Sequence, residues 1–334
     1  MEQEGETGFL ERAYSRLRAQ TSPLAASAAT PLSLLPAAGA LATARASLPR
    51  PTDPDFLHGR GREAALDHVL GTLAPALTGQ NLGGADGGRY WGFVTGAVLP
   101  VAEAADNVAS AYDQNVQVHL PAQTIATEVE DAALRMVLGL LRLDRSSSNG
   151  DGDKPRTIDW RGRTFTTGAT ASNILGLACG REAVIRARLP SAATTTAKPG
   201  GEEWDDAESV GELGLLRACA RAGVDEIRVL TSAAHSSVAK AASVVGLGRA
   251  SVVDASRRAA GEPWRLDLDA VERELARDPR VAHIVCVGAG EVNTGRFATE
   301  GLADMRRLRD LADKYRAWIH VDGGKETLSF SFYI

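Results

Sequence analysis

The chain has 334 residues, 44% of them hydrophobic and 24% charged, with a net charge of −5. That is the composition of a globular protein with apolar material for a large core, about two domains' worth or one large α/β domain with an appendage. The mild acidity provides no basic footprint for nucleic acid or anionic membrane, and no apolar stretch is long enough to span a bilayer.

The N-terminus "MEQEGETGFLERAY" is acidic where a secretory or mitochondrial leader would be basic, which points to a cytoplasmic protein. Residues 1–55, rich in Ala, Ser, Pro and Leu from residue 21 on, read as a low-complexity arm, poorly ordered. Residues 56–120 read as an N-terminal helical segment, with a stripe at Ala65, Val69, Leu70 and Leu73 and a second helix through Val101, Ala105 and Val108. A long helix is expected from Thr124 to Leu143, burying Ile125, Val129, Ala132, Met136, Val137, Leu140 and Leu141. "DRSSSNGDGDKPR" and "LPSAATTTAKPGGEEWDDAESVGE" are polar and Gly-rich, and read as surface loops.

From Thr164 the pattern alternates. "RTFTTG", "EIRVLTS", "RASVVDA", "HIVCVGAG" and "AWIHVD" read as strands. Between them lie helices at "ATASNILGLACGREAVIRARL", through Val238, Ala242 and Val245, at "DLDAVERELARD", and at "EGLADMRRLRDLADKY" with Thr299 as N-cap. Short apolar strands alternating with amphipathic helices specify a mainly parallel α/β sheet covered on both faces. In such a sheet ligands sit at the carboxyl ends of the strands. Three cysteines (Cys179, Cys219, Cys286) lie in apolar surroundings without metal-ligand spacing, so buried thiols are expected and no metal.

Four stretches follow strand ends, each with two readings. "TTGAT" is either an ordinary Gly turn or a phosphate cradle at a helix N-terminus. His235 in "TSAAHSS" either caps its own helix or stacks on a planar ligand. "GAGEVNTG" is either a tight turn or a loop leaving room for a flat cofactor. In "HVDGG", Asp322 follows a buried run and needs a partner: a helix N-terminus, an Arg, or a protonated pyridine nitrogen.

In this order the stretches resemble the group II pyridoxal-phosphate-dependent amino acid decarboxylases, the family of glutamate, aromatic amino acid and tyrosine decarboxylases. "FTTGATASNILGL" resembles the family's "TSGGTEANL", "TSAAHSSVAKAA" its "HSSxxKA", and "HVDGG" its "HVDAA". "WGFVTGAVLPVAEAADNVASAYDQN" is similar to the substrate-side segment of fungal and bacterial members, and "TEVEDAALRMVLGLLRL" to the helix that opens their large domain. The resemblance runs from Arg89 to Gly324.

It implies a fold type I large domain over residues 121–324, incomplete, with a tail at 325–334 that carries no family likeness. It implies pyridoxal 5′-phosphate as cofactor, an L-amino acid substrate, aromatic or acidic, that loses its carboxyl group, and a homodimer in the complete family member. By the same resemblance Ala169 and Thr170 would contact the phosphate, and His235 would stack on the ring and guide the protonation step. Asp322 would hold the ring nitrogen protonated, and Gly324 would lie against the ring. Two departures stand out. Glu291 or Val292 replaces a threonine that positions cofactor or substrate. None of the five lysines (Lys154, Lys198, Lys240, Lys314, Lys325) sits in the family's His-Lys pair, so the chain as given is expected to lack the Schiff-base lysine and to be inactive alone. The alternatives are a non-catalytic product that at most binds a full-length partner, and a C–C lyase of the sphingosine-phosphate-lyase type. The implied strand order is 3-2-4-5-6-7-1, with "RTFTTG" as strand 1 at the far edge.

Overall fold

The computed structural model of this chain describes residues 2–21, 35–77, 98–143, 160, 162–189, 209–291, 293–323 and 330–332. Two units, Met1–Ala133 and Leu134–Ile334, divide it.

The first unit is helical: α1 (Glu2–Thr21), α2 (Ala40–Ser47), α3 (Arg62–His68), α4 (Pro100–Ala111) and the start of α5 (Ala126–Leu140). Residues 1–55, whose composition reads as a poorly ordered arm, thus hold α1 and α2. Side-chain bonds anchor α1: Arg12 to Glu63 (2.7 Å), Arg16 to Asp67 (2.6 Å), Arg18 to Glu103, and Gln20 Nε2 to the Leu70 carbonyl (3.0 Å). In α4, Pro100 opens the helix with a φ already set for it. The Thr124 hydroxyl receives the Ala126 N–H at 3.2 Å and starts α5.

The apolar face expected to be buried on α5 is a correction. Ile125, Val129, Met136 and Leu140 are 56–83% exposed, and the buried residue of this helix is Leu138. A 3.6-residue period identifies an apolar stripe but not what covers it, and no described element covers this one.

The second unit contains α6 (Ala169–Arg186), α7 (Val210–Leu213), α8 (Leu215–Ala222), β1 (Glu226–Thr231), α9 (Ser236–Val244), β2 (Val252–Asp254), β3 (Ser256–Arg257), β4 (Glu262–Leu266), α10 (Leu268–Leu275), β5 (Val281–Gly288), α11 (Gly301–Tyr315), β6 (Trp318–Asp322) and β7 (Phe330–Phe332). The main sheet runs β2-β1-β5-β6-β7; its first four strands are parallel and β7 lies antiparallel on β6, while β3 and β4 form a separate pair. Rows cross the sheet as Val229–Ile284–Trp318 and Thr231–Cys286–His320, and Gly288 pairs with Asp322.

Each face of the sheet has its own core. Leu177, Val184, Ala218, Val229, Val238, Ile284 and Trp318 pack under α6, α8 and α9. Leu230, Val271, Val285, Val287, Leu308 and Ile319 pack under α10 and α11. This burial on both sides is why β5 reads as an unbroken apolar run rather than an alternating one. Gly180 lets α6 approach the sheet: a Cβ there would meet Trp318 Cδ1 at 2.9 Å and Ile284 Cδ1 at 3.1 Å.

Three local expectations are corrected. Arg163–Gly168 is not a strand: a strand is a paired structure, and no described strand lies beside this segment. At β6, where the implied order places a further parallel strand, the antiparallel β7 takes the edge. At α11 the N-cap is Glu300 rather than Thr299; the Glu300 N–H donates to Asp304 Oδ2 at 2.7 Å, which fixes the helix start one residue later.

Candidate active site

The connections out of β1 and β5 leave in opposite directions. From β1 the chain passes through α9 to β2 on one side; from β5 it passes through α11 to β6 on the other. The crevice between such strands is where parallel sheets hold ligands. His235 follows the carboxyl end of β1, the Gly288–Gly295 loop begins at that of β5, and Asp322 is the last residue of the neighbouring β6.

The turn after β1 is shaped by Ala233, which adopts a left-handed φ of 41° despite its side chain. Two residues later His235 is the N-cap of α9. Its Nδ1 accepts from the Ser237 N–H at 3.2 Å and lies 2.7 Å from Ser237 Oγ. The helix-cap reading of His235 therefore holds, with its ring exposed at the helix start.

From Ser237 the contacts continue inward. Asn173, fully buried on α6, donates through Nδ2 to Ser237 Oγ (3.0 Å) and to Asp322 Oδ2 (3.2 Å). Its Oδ1 lies 2.7 Å from His320 Nε2. Both amide hydrogens and the carbonyl are used, which is what permits a primary amide to sit in the core. One residue thereby joins α6, α9 and β6 at the end of the sheet.

Beneath Asp322 the row Thr231–Cys286–His320 faces α6. Burial drives the His320 pKa down to about 4 against the pull of Asp322, so the ring is neutral at pH 7. Burial, reinforced by Asp322, raises the Cys286 thiol well above its ordinary value, and a Thr231 hydrogen bond offsets this in part. Cys286 is a core thiol, not a nucleophile.

α6 begins one turn before Asn173. Gly168 caps it at φ 104°, a value that favours glycine, and supplies no side-chain cap. The first turn of α6 carries no acidic residue of its own to compete for the Ala169 and Thr170 N–H groups. Ala169 is half-buried and Thr170 exposed.

The Gly288–Gly295 loop starts beside Asp322, with the Ala289 N–H on the Asp322 carbonyl at 2.8 Å. Glu291 turns back on its own loop. Burial opposes its charge, but four hydrogen bonds from Asn293 and Thr294 (2.6–2.9 Å) outweigh that and hold its carboxyl below the ordinary range. Glu291 is therefore occupied locally; Val292 lies outside the described residues.

Of the residues expected at the site, Ala169, Thr170, His235 and Asp322 fall around this junction, while Gly324 and Lys325 lie outside the described residues. Asn173, Ser237 and His320 were not foreseen. Asn173 had a legible signal: it interrupts the stripe that Gly176, Leu177, Gly180 and Val184 continue, and a polar residue in an apolar stripe requires partners.

Comparison with solved structures fixes the architecture. The glutamate decarboxylase domain of the Vibrio parahaemolyticus diaminobutyrate-pyruvate transaminase and L-2,4-diaminobutyrate decarboxylase matches 95% of this chain at 20% identity and a TM-score of 0.63. Mouse CSAD in apo form matches at 18% identity and a TM-score of 0.57, and Oryza sativa TDC with PLP and tryptamine at 18% and 0.57, each again over 95% of this chain. The chain shares their fold. It spans 57%, 54% and 57% of those three structures. No family model matches the chain, and no curated protein does. The α/β architecture is thus that of these three solved structures, present over about half their length. Among the described residues no helix is long and apolar enough to cross a membrane.

Proposed function

We propose that this chain holds the phosphate and ring-nitrogen end of a pyridoxal 5′-phosphate site and belongs to an amino acid decarboxylation system. The observation that carries the reading is the junction itself: a carboxylate, an imidazole and an uncapped helix start meet at strand ends through one buried amide. The donor set fits the cofactor at each point. The α6 N-terminus, free of acidic residues in its first turn, suits a phosphate through the Ala169 and Thr170 N–H groups and the Thr170 hydroxyl. The Asp322 carboxylate, held by Asn173, suits a ring nitrogen that must stay protonated. His235 presents an imidazole at the start of α9.

When bound, the cofactor ring supplies a sink for the electron pair left at Cα as the amino acid carboxylate departs as CO2. Asp322 would hold the ring-nitrogen proton that keeps that sink effective. Ala169 and Thr170 would bind the phosphate through the start of α6. His235 would orient the ring face and offer its imidazole for the reprotonation step. The substrate in this reading is an L-amino acid, and the functional unit is a cytoplasmic homodimer.

The described lysines do not supply covalent attachment. Lys240 is exposed on α9, and Lys314 is bound to Glu272 at 3.3 Å on α11, across the sheet from α6. Lys154, Lys198 and Lys325 lie outside the described residues; reversible binding is the reading that follows from the missing His-Lys pair in the sequence. The test is a titration with pyridoxal 5′-phosphate followed by absorbance and equilibrium dialysis. Saturable binding, reversed by dialysis, not fixed by borohydride and weakened at least tenfold in Asp322→Ala, is expected. Equal binding by both proteins would sink the assignment of Asp322; absence of binding would sink the cofactor reading.

A further inference from the structure

The side chains between His235 and Asp322 carry an order of donors that can be read from one end. A backbone N–H can only donate, so the Ser237 N–H at 3.2 Å makes His235 Nδ1 an acceptor. The 2.7 Å separation between that nitrogen and Ser237 Oγ must then hold the serine's own hydrogen. With its hydrogen committed, Ser237 Oγ receives from Asn173 Nδ2 at 3.0 Å. That sets the amide: Nδ2 faces Asp322 Oδ2, and Oδ1 faces His320 Nε2, which must carry a hydrogen.

The far end agrees independently. As a carboxylate Asp322 accepts and cannot donate, so it demands the same amide orientation. The neutral state of His320 is compatible with a single hydrogen on Nε2. Two strict constraints, a backbone N–H at one end and a carboxylate at the other, thus select one pattern across residues from α6, α9 and β6.

The geometry points to Asn173 and Ser237 as positioning residues that lock His235 in its Nε2–H tautomer and couple that choice to Asp322. His235 then reaches a ligand only as a donor, through Nε2. Taking a proton on Nδ1 requires breaking both bonds to Ser237. Resting on the cofactor reading above, this gives His235 a defined role: it offers a hydrogen to an acceptor group of the bound cofactor or amino acid, and its ring plane is set by the cap.

The experiment is a long-range proton–nitrogen correlation on the full chain with ¹⁵N-labelled histidine, without cofactor, with His235 assigned by His235→Gln. The expected result is a bare Nδ1 and a protonated Nε2. Ser237→Ala, which leaves only the longer backbone bond, should shift His235 to a mixture of tautomers; Ser237→Thr, which keeps the hydroxyl, should restore the single form. Asn173→Ala should move the spectrum in the direction of Ser237→Ala. A wild-type ring protonated on Nδ1 overturns the proposal without any variant, and so does a Ser237→Ala spectrum identical to wild type. Pyridoxal 5′-phosphate is then titrated into the same samples, with about fivefold weaker binding expected for Ser237→Ala. A locked tautomer with no cofactor bound leaves the relay standing and removes the cofactor reading. Cofactor bound to a chain whose tautomer is unlocked removes the relay alone.

Discussion

The two units of the chain show the same kind of amphipathic pattern and use it differently. In the second unit, strand and helix faces meet across a sheet, and the side chains that the pattern marks as apolar are buried on both sides of it. Among the described residues of the first unit, Leu70 and Ala44 are the buried apolar side chains, while Val101, Val108, Ile125 and Val129 are 56–73% exposed, and exposed ion pairs such as Arg12–Glu63 and Arg16–Asp67 join the helices. Exposed pairs of this kind contribute about 1 kcal/mol or less each. Periodicity locates α3, α4 and α5 in the first unit, though not α1 and α2, and it says nothing about whether a face has a partner. The sheet makes the difference, because its register supplies that partner row by row.

Paired truncations sharpen this contrast. Ile284→Ala, in the middle of β5 beneath Gly180, should cost about 2–5 kcal/mol in chemical denaturation. An equal cost for a truncation at an exposed position of the first unit would break the contrast.

Acid should act on the second unit first. His283 and His320 are buried there, and burial lowers both to about 4 from an ordinary 6.5. Neither ring nitrogen of His283 has a hydrogen-bond partner among the described residues. The unfolded chain takes up these protons as pH falls below about 6.5, while the folded chain resists until about 4. Stability is therefore complete above 6.5 and declines between 6.5 and 4, by about 2 kcal/mol for each histidine at pH 5. Denaturation curves at pH 7.5 and pH 5 measure this, and His283→Leu should remove about half of the loss. A flat profile would contradict the burial of both rings. The smallest effect expected is that of Val129→Ala, within about 0.5 kcal/mol, since its side chain is already in water.

What the sequence made legible follows the same physical division. The parallel strands β1, β2, β5 and β6 and the helices between them were readable because burial on both faces writes an unbroken apolar word, as in "HIVCVG", whereas the β3–β4 pair was not foreseen. The residues after strand ends were readable as site candidates for the same reason. Arg163–Gly168 was misread as a strand because β propensity marks an extended segment but cannot supply its neighbour. The α5 face was misread because cover is a tertiary property. Ser237 was hidden inside a capping turn, where serine is common for local reasons. His320 was hidden in a strand whose alternation says which face it takes but not that an amide waits there.

The start of α6, the start of α9 and the end of β6 meet at one junction, which is proposed as the cofactor site. Hydrogen–deuterium exchange of the full chain with and without pyridoxal 5′-phosphate tests it most directly. The account predicts slower exchange on adding the cofactor in peptides covering Gly168–Asn173, Ala234–Val238 and His320–Gly323, with the exposed helices of the first unit unchanged. Protection confined to other segments, or none at saturating cofactor, would contradict it.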